Sequence, residues 1–277
     1  MTASPCVLLT GASRGIGLAT LRILLELPSS LGIPTSTRPN IVAISRSLTP
    51  ELKDLALSHS DRVEIVQGDV QSPELNQQAV AKARTRFGRL DALILNAGIL
   101  GMGRLGDVSG QTFSDVININ LVSLHTTVQA ALPLLRSSPD GLGRVVLVSS
   151  GAATAAVEGW GAYCISKAAA VSLGRMLAVE EKKLAVWSIR PGKVDTEMQG
   201  LIRSDGAQHM EGQTQQSFAD AHRDGKLVPP PAPAHVLVAL ALRGSREQPQ
   251  TASGSGAGAE GAFLSWDSPE LQGWRAD

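Results

Sequence analysis

Short apolar runs alternate with longer stretches of helical spacing along most of the chain. CVLLTG (6–11), IVAISR (41–46), RVEIVQGDV (62–70), LDALILNAG (90–98), RVVLVSS (144–150) and AVWSIRPG (185–192) each read as a strand buried on both faces. Between them, Gly15–Leu27, Pro50–Leu57, Pro73–Phe87, Thr112–Leu135 and Ala162–Lys182 have the spacing and length of helices. Strands that alternate with helices predict βαβ units and a parallel sheet covered on both sides. The expected fold is α/β, a Rossmann-type doubly wound sheet in three α/β/α layers forming a single domain over 1–277. Its cofactor half spans about 1–110 and its catalytic half about 111–196. A substrate lid covers about 197–233, and a C-terminal helix and strand about 234–277.

Two segments interrupt this rhythm. Residues 28–40 carry three prolines, and 248–261 are rich in Gly, Ala and Ser; both read as exposed loops remote from the chemistry. From 195 to 233 the periodicity is weak until a final helix at Ala234–Leu242. A long irregular stretch beyond the last main strand calls for a role. Ligands of such folds bind past the carboxyl ends of the strands, so it reads as a lid. GAFLSW (261–266) reads as a short closing strand.

Composition narrows the function. The 277 residues carry 25 Lys+Arg and 25 Asp+Glu, for a formal net charge of zero. No basic stripe invites nucleic acid, and no apolar run approaches the roughly 18 residues of a membrane span. Cys6 and Cys164 form neither a metal-ligand nor a CxxC pattern, so no metal site is expected and a reducing, cytoplasmic setting is.

Chemistry-bearing residues cluster at the predicted strand ends. TGASRGIG (10–17) closes the first strand and opens the first helix. Gly11, Gly15 and Gly17 allow a tight turn and a close approach of phosphate to free helix amides. Ser13 and Ile16 belong to the same loop. The second strand ends in Ser45 and Arg46, where an NAD site usually has an acid. With Arg14 in the loop, two guanidinium groups suit a ribose 2′-phosphate, hence NADP(H). Asp69 follows the third strand as an adenine-amino acceptor or a helix N-cap. Asn96, Ala97 and Gly98 follow the fourth, against the adenine ribose or simply bracing the strand end.

Tyr163, the only tyrosine, and Lys167 stand at i and i+4 on one helix face. An ammonium and an oxidised nicotinamide beside a phenol both favour phenolate. Ser150 ends the fifth strand, placed to hydrogen-bond a substrate carbonyl. Asn120 could hold a water linking Lys167 to solvent. Trp160, Met198, Met210 and Phe218 are candidate walls of an apolar substrate site, or ordinary packing.

These pieces, with PGKVDT at 191–196, run in the order found in the short-chain dehydrogenase/reductase family, which the chain resembles over about Val7–Thr196. The resemblance implies a catalytic tetrad of Asn120, Ser150, Tyr163 and Lys167. Tyr163 and Lys167 would also touch the cofactor, with Pro191, Gly192, Val194 and Thr196 at the nicotinamide. GWGAY (159–163), LAVEEKK (177–183), PGKVDTEMQ (191–199) and FLSWDSPEL (263–271) resemble the sepiapterin-reductase-like branch and its benzil reductases. That implies NADPH-dependent reduction of an aromatic ketone or 1,2-diketone, a small-molecule carbonyl substrate, and pairing into a homodimer or homotetramer through the Tyr163 helix. Lys193 departs from the apolar residue expected after PG and suggests polarity near the nicotinamide. Two other readings are a pterin side-chain reductase, with Asp195, Glu197 or Asp205 as ring anchor, and a non-catalytic NADP(H)-binding regulator.

Overall fold

The computed structural model describes residues 4–210 and 213–276. Its first half runs β1 (Cys6–Thr10), α1 (Gly15–Glu26), β2 (Asn40–Ser45), α2 (Pro50–Ser58), β3 (Val63–Gln67), α3 (Pro73–Lys82) and β4 (Ala92–Leu95). The second half runs α4 (Gly110–Ile117), α5 (Ser123–Leu135), β5 (Gly143–Val148), α6 (Gly161–Glu180) and β6 (Leu184–Arg190). The chain ends with α7 (Glu197–Asp205), α8 (Gln213–Arg223), α9 (Pro231–Arg243), α10 (Ala257–Glu260) and β7 (Phe263–Ser265).

The strands form one seven-stranded sheet in the order β3-β2-β1-β4-β5-β6-β7. Every pairing is parallel. All five residues of β1 and all four of β4 are buried, as expected of strands covered on both faces. One apolar layer joins the sheet to α1 and α9 through Leu21, Leu24, Leu237 and Leu240. The other joins it to α3, α5 and α6 through Val80, Val128, Ala170 and Leu177. The order reverses between β1 and β4, which opens a crevice at their carboxyl ends.

Local chemistry explains where the helices start. Thr49, Ser72 and Ser109 cap α2, α3 and α4 with side-chain oxygens that accept N–H bonds from Leu52, Leu75 and Thr112. Pro50 and Pro73 occupy first-turn positions that need no N–H. The expected helix over 112–135 is α4 and α5 joined by a π-turn at Asn118–Val122. The expected helix over 73–87 ends in a second π-turn, Ala83–Phe87.

Two expectations are corrected. The stretch 248–261 is not an exposed loop throughout. Gln250 bridges Gly256, α10 follows, and Pro249, Ala257 and Gly258 are buried. Ala257 packs in the same cluster as Trp187 of β6. Its small residues let backbone pass close to the sheet. The weakly periodic stretch 195–233 contains two helices, α7 and α8. The segment 28–40 is a loop with two short 3₁₀ turns, at the end of the sheet opposite the crevice.

Candidate active site

The carboxyl ends of β1, β4, β5 and β6 converge on one crevice, and nearly every residue singled out from the sequence lies there. Its floor is the glycine loop. A Cβ on Gly17 would fall 2.0 Å from the Gly11 carbonyl oxygen, so only glycine lets α1 start this close to β1. Asn96 ties the same turn to β4. Its Nδ2 donates to the carbonyls of Thr10 and Gly11, at 3.2 and 3.1 Å. Thr10 Oγ1 accepts the N–H groups of Asn96 and Ala97, both at 3.0 Å. The Asn96 Nδ2 therefore braces the loop. Unlike α2 and α3, helix α1 has no side-chain cap and no acid in its first turn. Its amides are free and its dipole uncompensated, which fits a dinucleotide pyrophosphate.

The candidate tetrad comes from the end of β5, the α4–α5 joint and α6. Asn120 sits in the π-turn and is fully buried. Its Oδ1 accepts Ile99 N–H at 2.8 Å, and its Nδ2 donates to Ile99 O at 2.8 Å and Ser166 Oγ at 3.1 Å. These bonds lock the segment after β4 to α6. Gly98 fills the gap beyond: a Cβ there would lie 3.1 Å from Asn120 Oδ1 and 3.6 Å from Lys167 Nζ.

Lys167 is buried and donates to the carbonyl of Val148, the last residue of β5, at 2.9 Å. Its ammonium lies 5.6 Å from the centre of the Tyr163 ring. Burial pushes Lys167 down to about 8 and Tyr163 up to about 12, while a hydrogen bond with Ser150 draws Tyr163 back. Ser150 also accepts Ala152 N–H at 3.2 Å. Its neighbour Ser149 is buried and makes no hydrogen bond through its hydroxyl, so Ser150 is the serine that meets the phenol.

A separate apolar cluster roofs the phenol: Leu100, Ala152, Trp160, Ile202 and Met210, with Met198 and Phe218 packed against it. Trp160 meets the Tyr163 ring edge-on at 5.7 Å, and Phe218 of α8 lies 5.3 Å from Trp160. The lid is thus closed over the phenol, which is 7% exposed. Sequence reasoning missed Leu100, Ala152 and Ile202, whose placement depends on the closed lid. It also missed Thr10 and Ser166, although Thr10 stands inside the glycine motif.

Lys193 does not face the crevice. Its Nζ donates to Ser217 O and Oγ, at 3.1 and 3.2 Å, and lies over Phe218, so it clamps α8. Asp69 caps no helix; its Oδ1 accepts Gln71 N–H in a turn, and Ser72 caps α3. Arg14 is ion-paired with Glu197 at the start of α7, which joins the glycine loop to the lid. Arg46 is exposed, and Ser45 donates to Ser47 O within the turn after β2. Val194 pairs with Val228, and Thr196, the residue before α7, sits against Gly15.

The model of the short chain dehydrogenase family matches residues 5–207. The chain belongs to the short-chain dehydrogenase family. An uncharacterized oxidoreductase of Schizosaccharomyces pombe, C30D10.05c, is 39% identical over 83% of this dehydrogenase and 87% of its own length. Benzil reductase ((S)-benzoin forming) IRC24 of Saccharomyces cerevisiae is 32% identical, over 83% of this chain and 88% of its own. The crystal structure of the Saccharomyces cerevisiae short-chain dehydrogenase/reductase YIR035C superposes with a TM-score of 0.87. It is 30% identical, covering 99% of this chain and all of that one.

The buried lysine has a measurable consequence for this dehydrogenase. The folded-state value of Lys167, about 8, lies below its ordinary 10.5. Between those values the unfolded chain holds a proton that the folded chain has lost. The apo protein therefore gains stability as pH rises through this window, by about 3 kcal/mol. Tyr163 acts with the opposite sign, but only between its ordinary 10.0 and about 12. Urea unfolding at about pH 8 and about pH 10 should show the rise in the wild type and not in Lys167→Met.

Proposed function

We propose that this oxidoreductase is an NADPH-dependent carbonyl reductase acting on ketones and 1,2-diketones of the benzil kind. One observation carries the reading: Tyr163 stands between Ser150 and Lys167 under a roof of Trp160, Phe218, Met198 and Met210. The reduced nicotinamide, when bound, supplies the hydride. Tyr163 Oη donates a proton to the substrate carbonyl oxygen as charge develops there, and Ser150 Oγ hydrogen-bonds the same oxygen. Lys167 favours the phenolate left behind and, with Tyr163, offers donors to the cofactor ribose. Asn120 keeps the β4 and α6 sides of the crevice in register.

The absence of an acid at the end of β2, with Arg46 exposed there and Arg14 in the loop, supports a 2′-phosphate. For Arg14 this means exchanging Glu197 for the phosphate. Gly11, Ser13, Gly15, Ile16, Gly17, Ala97, Gly98, Pro191, Gly192, Val194 and Thr196 complete the proposed cofactor contacts. The pterin reading has less support, because Asp195, Glu197 and Asp205 are all exposed. Free thiols at Cys6 and Cys164 suit the cytoplasm. Exposed Met176 and Val179 on α6 suit pairing of subunits through that helix.

The test is a panel of aryl ketones, 1,2-diketones and sepiapterin, assayed by nicotinamide absorbance with NADPH and NADH in parallel. Faster turnover of benzil with NADPH is expected. A preference for NADH would overturn the roles of Arg14 and Arg46. Binding of NADPH without turnover of any carbonyl would favour a non-catalytic regulator.

A further inference from the structure

Trp160 has an unmet hydrogen bond. Its ring is buried between the Tyr163 edge and the Phe218 face, and its Nε1–H is out of contact with water and has no partner. Its neighbours in the cluster are apolar: Leu100, Ala152, Ile202 and Met210. A buried donor without an acceptor is unfavourable, and tryptophan N–H groups in protein interiors usually find one. Trp187 has an unpartnered Nε1 as well, but it is fully enclosed in the core behind β6, among Ile189, Leu240 and Ala257. No ligand reaches it there. Trp160, by contrast, stands against the proton donor, where any substrate of Tyr163 must lie.

Resting on the reductase reading above, we propose that Trp160 Nε1–H donates to a second oxygen of the substrate, carried on the carbon next to the reacting carbonyl. Tyr163 and Ser150 hold the carbonyl being reduced. In a vicinal dicarbonyl, the other oxygen is displaced by one carbon–carbon bond, towards the Trp160 wall. A ketone with CH₂ at that position fills the same apolar volume but leaves the indole N–H unmet. The free site already carries the unmet N–H, so the preference comes from the bond that the right ligand gains. Sites built around a buried polar group reject analogues that lack its partner more strongly than sites that read only shape.

The experiment compares benzil with deoxybenzoin, which keeps both phenyl rings and one carbonyl. Calorimetry on the dead-end complex with oxidised nicotinamide cofactor measures binding without turnover. Wild-type protein should bind benzil about tenfold more tightly, the worth of one net hydrogen bond. Trp160→Phe keeps an aromatic ring against Tyr163 and should bring the ratio of the two affinities close to one, whatever the shared loss of ring contact. Either equal binding of the two by wild type or retention of the preference in Trp160→Phe would overturn the proposal. If Trp160→Phe does not fold, the wild-type spectrum decides. The Trp160 indole N–H resonance should move downfield with benzil and not with deoxybenzoin, and no difference would overturn it. Selective binding without NADPH oxidation would leave the Trp160 assignment standing and overturn the reductase reading alone.

Discussion

Tyr163→Phe should lower the rate of ketone reduction by about 10²–10⁴-fold, the usual contribution of a positioned general acid. The substitution removes one oxygen and keeps the ring that Trp160 meets at 5.7 Å, so the roof and α6 should stay in place. NADPH affinity should fall by at most about tenfold, the equivalent of one hydrogen bond to the ribose. Single-turnover absorbance and cofactor titration separate the two effects. A variant that keeps wild-type turnover would remove Tyr163 from the chemistry. The pH dependence follows from the same environment. Burial pushes the phenol up to about 12 in the free protein, against the hydrogen bond from Ser150 that lowers it. At neutral pH the acid is therefore protonated and ready to donate. Reduction should stay level through neutrality, and alcohol oxidation, which needs phenolate, should rise with alkalinity.

Gly17→Ala should abolish cofactor binding and cost several kcal/mol of stability. The added methyl would sit 2.0 Å from the Gly11 carbonyl oxygen and 2.7 Å from Asn96 Nδ2. Neither neighbour is the loose end of a flexible side chain. Gly11 is backbone in the turn, and Asn96 is held by two carbonyls. The start of α1 must move away from β1, which breaks the Asn96 brace and spoils the cradle of free amides together. Backbone shifts forced by overpacking typically cost about 1–3 kcal/mol, with the lost brace added to that. Thermal unfolding and NADPH titration check both parts. Wild-type affinity in Gly17→Ala would show that the glycine turn is not the phosphate cradle.

The order of elements was legible because each strand is buried on both faces and each helix carries its own start signal. Pro50 after Thr49, and Pro73 after Ser72, mark their helices without any knowledge of the rest of the fold. The glycine loop and the Tyr163–Lys167 spacing were legible for a related reason: both depend on contacts within one turn or one strand–helix joint. The cap reading of Asp69 fails, and the place of the Lys193 side chain was not legible, because the deciding partners compete locally or are distant. Lys193 turns to Ser217, which only the packing of α8 brings near. Ser72, three residues after Asp69, takes the cap that Asp69 seemed suited to.

The side-chain role of Asn120 depended on the tertiary fold as well. In the sequence it is a polar residue within a helical pattern, free to hold a water. In the folded chain its amide also ties together Ile99 and Ser166, which lie 21 and 46 residues away. The roof over Tyr163 is the furthest from local signals. Trp160, Ile202, Met210 and Phe218 come from segments with no shared periodicity, and they meet only because α7 and α8 fold back over the ends of β5 and β6. Local patterns thus specify the sheet, the glycine turn and the Tyr163–Lys167 pair. What surrounds that tyrosine, including its raised pKa and the unmet indole beside it, arises from long-range burial.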